Sequence, residues 1–107
     1  MKFINYTLFI LVFTINYFAE GQVIKTDTTQ SRQYFQQGMS KFDAEDYTNA
    51  IDYFTKALAH DQNYSEAYKY RGRSYYRLKE YKNAIEDFNK AIYLTPKDSY
   101  LFFYRGL

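Results

Sequence analysis

The chain has 107 residues and a formal net charge of +2, from 14 Lys and Arg against 12 Asp and Glu. It contains 14 Tyr and 10 Phe but four Gly and one Pro, which favours a folded, water-soluble domain over collagen, disorder or a many-stranded β fold. Cysteine is absent, which excludes disulfides, thiolate metal sites and cysteine nucleophiles, and the small charge does not indicate a polyanionic partner.

The N-terminal segment has the pattern of a signal peptide. Lys2 is followed by a largely apolar run to Phe18, and small residues at Ala19 and Gly21 predict cleavage before Gln22. We therefore expect residues 1–21 to direct export to a periplasm or the medium, with residues 22–30 as a flexible linker. An uncleaved signal anchor, which would hold the protein at a membrane, and a buried N-terminal helix are the alternatives.

An internal repeat is the strongest pattern in the rest of the chain. Residues 31–64 align without gaps onto residues 65–98 at an offset of 34 residues, with eleven identical positions. Residues 99–107 continue in the same phase, which predicts the start of a third repeat that is cut off inside a helix. Because three or more repeats normally cover the apolar ends of such an array, we expect a fragment or self-association through the C-terminal end.

Each repeat has the periodicity of two helices. Apolar residues recur at i, i+3, i+4 and i+7 from Tyr47 and again from Tyr81, which predicts one buried stripe on each second helix. The first halves of the repeats fit a helix that begins near Ser31 and Ser65, and we expect these hydroxyls to accept a backbone N–H as helix caps.

Polar turns separate the helices. The sequence predicts turns within the repeats at residues 43–46 and 79–80, and between repeats at residues 61–63 and 95–98.

Small residues are expected to bring the helices of a repeat together. Gly38 would face Ala50 and Gly72 would face Ala84, with a phenylalanine of the second helix filling the space beside each pair. A bulky side chain at Gly72 should therefore destabilise the fold.

These positions together resemble the tetratricopeptide repeat (TPR) family. The second repeat carries the family pattern at Tyr68, Gly72, Tyr75, Tyr81, Ala84, Phe88, Ala91 and Pro96. The resemblance implies an all-α, right-handed solenoid of helix-turn-helix units, with repeats at 31–64 and 65–98 and a truncated one at 99–107. It departs from the family at Arg71 and Arg105, where leucine is common, and at Gln62, where proline is common.

The family resemblance also implies a groove, lined by the first helices, that binds peptides. The groove positions favoured for partner contact are Phe35, Met39, Phe42, Lys69, Arg73, Tyr76 and Arg77, within a wider set that includes Arg32, Gln36, Asp43, Glu66 and Tyr70. The hypothesis is a cationic rim for an acidic or C-terminal carboxylate partner, with aromatic residues holding apolar side chains. The alternative is a solvated helix face.

The heat-shock carboxylate clamp of some family members is not implied. It requires paired lysine and asparagine, whereas Phe35 and Met39 stand at those positions in the first repeat and Arg73 replaces the asparagine in the second.

No catalytic, cofactor or metal site is predicted. His60 is the single histidine and has no nucleophile at a suitable spacing, and Asp43, Glu45 and Asp46 have the composition of a solvated turn. Nucleic acid is not an expected partner, because the tyrosines among the basic residues fall largely on core positions and the charge is balanced.

The expected function is therefore a non-enzymatic scaffold that binds a protein or peptide outside the cytoplasm. The alternative is an N-terminal sensor or docking arm of a larger signalling protein or enzyme whose active domain lies beyond Leu107.

Overall fold

The computed structural model describes residues 28–97, which form four α-helices joined by short turns and contain no strand. The described part of α1 covers residues 28–43, and it is followed by α2 (Tyr47–His60), α3 (Ser65–Arg77) and α4 (Tyr81–Leu94). The order is helix, turn, helix in each repeat, so the expected all-α repeat architecture is confirmed. Within these residues no helix is both long and apolar enough to cross a membrane.

The ends of the chain carry several predictions that fall outside the described residues. These are the signal peptide at 1–21, most of the linker, the third repeat at 99–107 and the self-association expected there. Helix α1 already includes residues 28–30, which we expected to belong to the linker, so helical structure extends further towards the N-terminus than the sequence pattern indicated.

The buried stripes of the second helices are confirmed in part, because the predicted stripe residues Tyr47, Ile51 and Ile85 are only half-buried. Helix α2 buries Ala50, Phe54, Ala57 and Leu58, and α4 buries Ala84, Phe88, Ala91 and Ile92. Tyr81 was expected in this stripe but is 50% exposed. It lies in the first turn of α4, beside the loop, where its ring packs at 5.5 Å from that of Tyr76.

The serine hydroxyls join the two helices of each repeat and do not act as the caps that we expected. Ser31 Oγ donates to the carbonyl of Ala57 at 2.8 Å, and Ser65 Oγ donates to that of Ala91 at 3.2 Å. Ser31 lies inside α1 rather than before it and is 1% exposed, so its hydroxyl meets the last turn of α2. Ser65 is the first residue of α3, whose N-cap, Tyr64, makes no side-chain capping bond.

The glycines make room for phenylalanine rings. A Cβ at Gly38 would lie 2.6 Å from the ring of Phe54, and one at Gly72 would lie 2.7 Å from the ring of Phe88. The nearest neighbours are therefore these rings rather than the alanines that we expected. Since neither contact leaves room for a methyl group, the structure supports the expected sensitivity of Gly72.

The turn inside each repeat is closed by a residue in the left-handed conformation. Glu45 has φ 61° and Lys79 has φ 63°. The N–H of Asp46 donates to the carbonyl of Lys41 at 2.9 Å, and the matching bond from Glu80 in the second repeat is also 2.9 Å. These bonds terminate α1 and α3 and turn the chain back towards the second helix, at the positions where the sequence predicted turns.

Candidate functional site

Rings from both repeats meet on one side of α1 and α3. We call the side chains of Phe42, Tyr47, Tyr70, Arg73 and Arg77 the cation-aromatic face. The ring centroid of Phe42 lies 5.5 Å from that of Tyr47 and 5.4 Å from that of Tyr70, with both pairs close to edge-on. Edge-to-face pairs at this separation are attractive. The pair of Phe42 with Tyr70 therefore holds the first repeat against the second, and the pair of Phe42 with Tyr47 joins the two helices of the first repeat.

Arginines of α3 lie over these rings. The guanidinium carbon of Arg73 is 5.1 Å from the centroids of both Phe42 and Tyr70, and that of Arg77 is 5.9 Å from the centroid of Tyr47. A cation over an aromatic ring at this distance gains about 0.5–1 kcal/mol at an exposed site. Stacking uses the plane of the guanidinium group, whereas its hydrogen bonds to carboxylates are made along its edge.

Lysine at the start of α3 completes a row of cations. Lys69, Arg73 and Arg77 are spaced four residues apart and therefore share one side of the helix. The amino group of Lys69 lies 5.6 Å from the centroid of the Tyr70 ring. The structure thus brings the three predicted rim cations together with aromatic rings, in one continuous surface.

The other predicted groove residues are placed differently. The ring of Phe35 is half-buried between the repeats, with centroids 4.8 Å from Tyr64 and 6.0 Å from Tyr70. Met39 is half-buried on α1, about one turn from both Phe35 and Phe42. Phe35 is therefore engaged in packing, against Phe54 and Tyr64 of its own repeat and against Tyr70 of the next.

Tyr76 contacts side chains of the second repeat. It packs against the second-repeat core of Ala84, Phe88, Ala91 and Ile92, and its ring contacts Tyr81. This contact repeats the pairing of Phe42 with Tyr47 one repeat earlier. The predicted set therefore divides into residues at the face, residues between the repeats, and Tyr76 beside the second core.

Two members of the face were not among the favoured groove residues. Tyr70 contacts Phe35, Phe42 and the cation of Arg73, which makes it the centre of the cluster. It belonged only to the wider groove set, and its spacing three residues before Arg73 on one helix side was the available signal. Tyr47 was assigned to the buried stripe, and nothing in its periodicity shows that Arg77 lies over it.

A buried ion pair lies behind α3. Arg71 Nε and Nη2 donate to the two carboxylate oxygens of Asp87 at 2.8 and 2.7 Å, and Nη1 donates to Thr55 Oγ1 at 3.1 Å. The guanidinium also lies 5.7 Å from the ring of Tyr68 and 6.0 Å from that of Tyr75. Asp87 itself was not singled out from the sequence, because its partner Arg71 is on another helix.

Burial and the ion pair act in opposite directions on the pKa of each group. Burial raises the pKa of Asp87 above its ordinary value, against the opposing effect of the hydrogen bonds from Arg71. Burial acts to lower the pKa of Arg71, but the hydrogen bonds and charge of Asp87 outweigh it and the net direction is upward. The short, bidentate contact favours the ionised form of both groups.

Other chemistry has little support in the part of the chain that the structure describes. Residues 28–97 contain no group of three or more His, Asp or Glu side chains able to hold a metal ion. His60 lies in the last turn of α2, where its ring stacks on that of Tyr34 at 5.6 Å. Every buried side-chain polar atom among these residues has a hydrogen-bond partner, so none is left aimed at an absent ligand.

The helix pairs, the 34-residue period and the small residues under phenylalanine rings define a helical repeat protein. The tetratricopeptide repeat profile matches residues 35–99, and the chain belongs to this family. The family fold is a non-catalytic protein-binding scaffold. No curated protein sequence matches the chain.

Solved TPR domains share the fold. The second TPR of Spaghetti (RPAP3), bound to the HSP90 peptide SRMEEVD, has a TM-score of 0.75 and 25% identity over 79% of this chain and 78% of that one. The first TPR of Spaghetti, bound to the same peptide, has a TM-score of 0.70 and 26% identity over 74% of this chain and 63% of that one. MamA has a TM-score of 0.71 and 30% identity over 75% of this chain.

The chain is shorter than several of these structures. It spans 63% of the first Spaghetti TPR chain, and 46% and 44% of two MamA structures. Both Spaghetti domains were solved with a bound peptide.

Proposed function

We propose that the chain is a non-enzymatic, peptide-binding TPR module whose partner contacts the cation-aromatic face. The observation that carries the proposal is the position of Arg73 over rings from both repeats, Phe42 and Tyr70, at 5.1 Å from each. Arginine and tyrosine, with tryptophan, are enriched among the residues that dominate binding energy at interfaces. A stacked arginine has already lost part of its rotamer freedom, so less is lost when a partner binds.

The chemistry of the face favours an acidic segment or a C-terminal carboxylate. Arg73 and Arg77 can each offer the edge of a planar guanidinium group, which matches a carboxylate bidentately, and Lys69 adds a third positive charge. The rings of Phe42 and Tyr70 supply apolar surface for the neighbouring side chains of the partner. The acidic peptide SRMEEVD that the Spaghetti domains hold is of this class and is a suitable probe.

The test measures fluorescence anisotropy of labelled SRMEEVD against a labelled probe in which lysine replaces its three acidic residues. We expect the wild-type chain to bind the acidic probe at least about tenfold more tightly, because like charges at an interface are strongly disfavoured. Arg73→Glu with Arg77→Glu should reduce this affinity by more than about tenfold, which corresponds to about 1.4 kcal/mol.

A matched control separates the face from net charge. Lys82→Glu with Lys90→Glu makes the same change in net charge at exposed positions of α4. We expect this control to change the affinity by less than about threefold, through long-range electrostatics alone. Equal binding of the two probes, or an equal loss in the control and the face variant, would contradict the proposal.

We further propose that the module works outside the cytoplasm. The support is the signal-peptide pattern of residues 1–21, with small residues at Ala19 and Gly21. N-terminal sequencing of the exported protein should give a chain that begins at Gln22. A chain that begins at Met1 and is found in the membrane fraction would support the signal-anchor alternative, and one that begins at Met1 in the cytoplasm would contradict export.

A further inference from the structure

We propose that Arg71 is a positioning residue for the cation-aromatic face. Hydrogen bonds from Arg71 to α4 and α2, made behind α3, fix the rotation of α3 and so hold Arg73 and Arg77 over the rings in front. This inference rests on the proposed peptide-binding function for its consequence, but its geometry stands without it.

Arg71 and Arg73 lie on opposite sides of one helix. Each residue of an α-helix is rotated by about 100° from the one before, so two positions along the chain differ by about 200°. Arg71 accordingly meets Asp87 and Thr55, whereas Arg73 meets Phe42 and Tyr70. Any rotation of α3 about its axis moves both side chains together.

The contacts of Arg71 are directional. Two parallel N–H···O bonds to Asp87 fix the guanidinium plane relative to α4, and a third bond reaches Thr55 on α2. Rings of Tyr68 and Tyr75 lie beside the same group. An apolar side chain in this place would fill the space but would not define an orientation, because hydrophobic contact is non-directional.

The face depends on that orientation. A rotation of α3 by about 20° displaces a group about 6 Å from the helix axis by about 2 Å. Arg73 lies 5.1 Å from its two ring centroids, and Arg77 lies 5.9 Å from that of Tyr47. Since cation-ring attraction is significant only within about 6 Å, a shift of this size would separate the cations from the rings.

The first repeat provides an internal control. One repeat before Arg71 and Asp87 stand Gln37 and Tyr53, which cannot form an ion pair. Helix α1 therefore has no equivalent constraint, and its front residues Phe35 and Phe42 are held by ring packing. A substitution at Gln37 changes the equivalent helix position without removing such a pair.

The experiment uses the full chain with Arg71→Leu and Asp87→Leu together, beside the control Gln37→Leu. Replacing both partners of a buried ion pair by apolar residues usually preserves stability, so the double variant should fold with unchanged circular dichroism. Two quantities are measured in each variant. They are the chemical shifts of the Arg73 side-chain protons and the affinity for labelled SRMEEVD.

In the wild type, the rings of Phe42 and Tyr70 should shift the Arg73 side-chain protons upfield. We expect the double variant to lose most of this shift and to bind the probe about three- to tenfold more weakly, in the range seen for substitutions that act through a positioned element. The exchanged pair, Arg71→Asp with Asp87→Arg, should recover part of the upfield shift at Arg73 and part of the affinity for the probe. Gln37→Leu should change neither.

Retention of both the upfield shift and the affinity in the folded double variant would overturn the proposal and leave Arg71 a purely structural residue. If the double variant is unfolded, Arg71→Lys replaces it in the test, because lysine keeps the charge but not the bidentate geometry. A loss of the upfield shift at Arg73 and of affinity for SRMEEVD in this variant would support the positioning role. Unchanged values of both would contradict it. A wild-type chain without preference for the acidic probe would refute the proposed function, while the ring-induced shift would still test the positioning role.

Discussion

The two repeats bury similar side chains but place different ones on the front and back of their first helices. In both, a serine hydroxyl joins the helices over 26 residues, and a glycine lies under the phenylalanine ring of the second helix. On the front, Phe35 and Met39 of the first repeat give way to Lys69 and Arg73 in the second. The front of α1 is therefore aromatic and apolar, whereas the front of α3 beside it is cationic.

This difference creates the cation-aromatic face, because neither repeat contains it alone. Phe42 and Tyr47 come from the first repeat, and Tyr70, Arg73 and Arg77 come from the second. Positions that repeat therefore explain how the solenoid packs, and the face comes mainly from positions that do not repeat. The same holds behind α3, where the ion pair of Arg71 with Asp87 occurs in the second repeat only among the described residues.

The largest expected effect follows from breaking that ion pair on one side. Arg71→Leu leaves a buried carboxylate without its partner and should reduce the free energy of unfolding by about 3 kcal/mol. Gln37→Leu, at the equivalent position of the first repeat, should change it by less than about 0.5 kcal/mol. Urea denaturation of both variants checks the comparison, and equal losses would contradict it.

The next largest loss of stability is expected when alanine replaces either of the two buried glycines. Gly72→Ala should lower the free energy of unfolding by about 1–2 kcal/mol, because the new methyl group meets the ring of Phe88 and lies 3.2 Å from Cβ of Asp87. Gly38→Ala should cost less, since the three heavy atoms nearest to its new methyl group all belong to the ring of Phe54. The higher helix propensity of alanine acts in the opposite direction in both variants. A higher melting temperature in thermal denaturation would therefore show that the phenylalanine rings move aside at little cost.

The serine bonds provide a smaller test. Ser31→Ala and Ser65→Ala should each cost about 1 kcal/mol, with the greater loss at Ser31, whose bond is shorter and buried. Ser40→Ala, at an exposed position of α1, is the control for helix propensity. If these serines acted as caps, the loss would appear instead as fraying of the first turns in amide exchange.

Substitution to glycine in the two turns should raise the free energy of unfolding, in contrast to the substitutions above. Lys79→Gly and Glu45→Gly relieve a positive φ in a residue with a Cβ and should each raise the free energy of unfolding by about 0.5–1 kcal/mol. Lys90→Gly, at an exposed position inside α4, should instead lower it by about 1 kcal/mol. The denaturant midpoints of the three variants show whether each substitution stabilises or destabilises the protein. A lower midpoint for Lys79→Gly would show that the lysine side chain stabilises the fold by more than its backbone strain costs.

The smallest effect concerns the cap of α2. A side-chain hydrogen bond from Asn49 lowers the pKa of Asp46 below its ordinary value of 3.8. Because the folded pKa is depressed, the stabilisation is present above pH 3.8 and is lost as the pH falls through the folded pKa. Asn49→Ala should move the pKa of Asp46 back up, as measured by NMR titration, and an unchanged pKa would exclude this bond as the cause.

The sequence predicted the parts of the fold that depend on period and residue size. The helices, the turns and the stripes containing Phe54 and Phe88 follow from spacing within one helix. The roles of Ser31 and Ser65 were wrong, because a hydroxyl can accept a bond at a helix start or donate one to a neighbouring helix, and the sequence does not distinguish the two.

The candidate site was predicted less completely, since it depends on which helices are neighbours. Lys69, Arg73 and Arg77 could be placed on one side of a helix from their spacing. That Tyr70 is the centre of the cluster, that Arg77 lies over Tyr47, and that Asp87 pairs with Arg71 all require contacts between helices. No period within one helix contains that information.

The most direct test of the account is an NMR titration of the wild-type chain with unlabelled SRMEEVD, followed through backbone amide and arginine side-chain signals. The account predicts the largest shift changes at Phe42, Tyr70, Arg73 and Arg77, from both repeats, with little change at Lys90 and Tyr93 on α4. The largest changes at those α4 residues, or none at the cation-aromatic face at peptide concentrations that saturate binding, would contradict it.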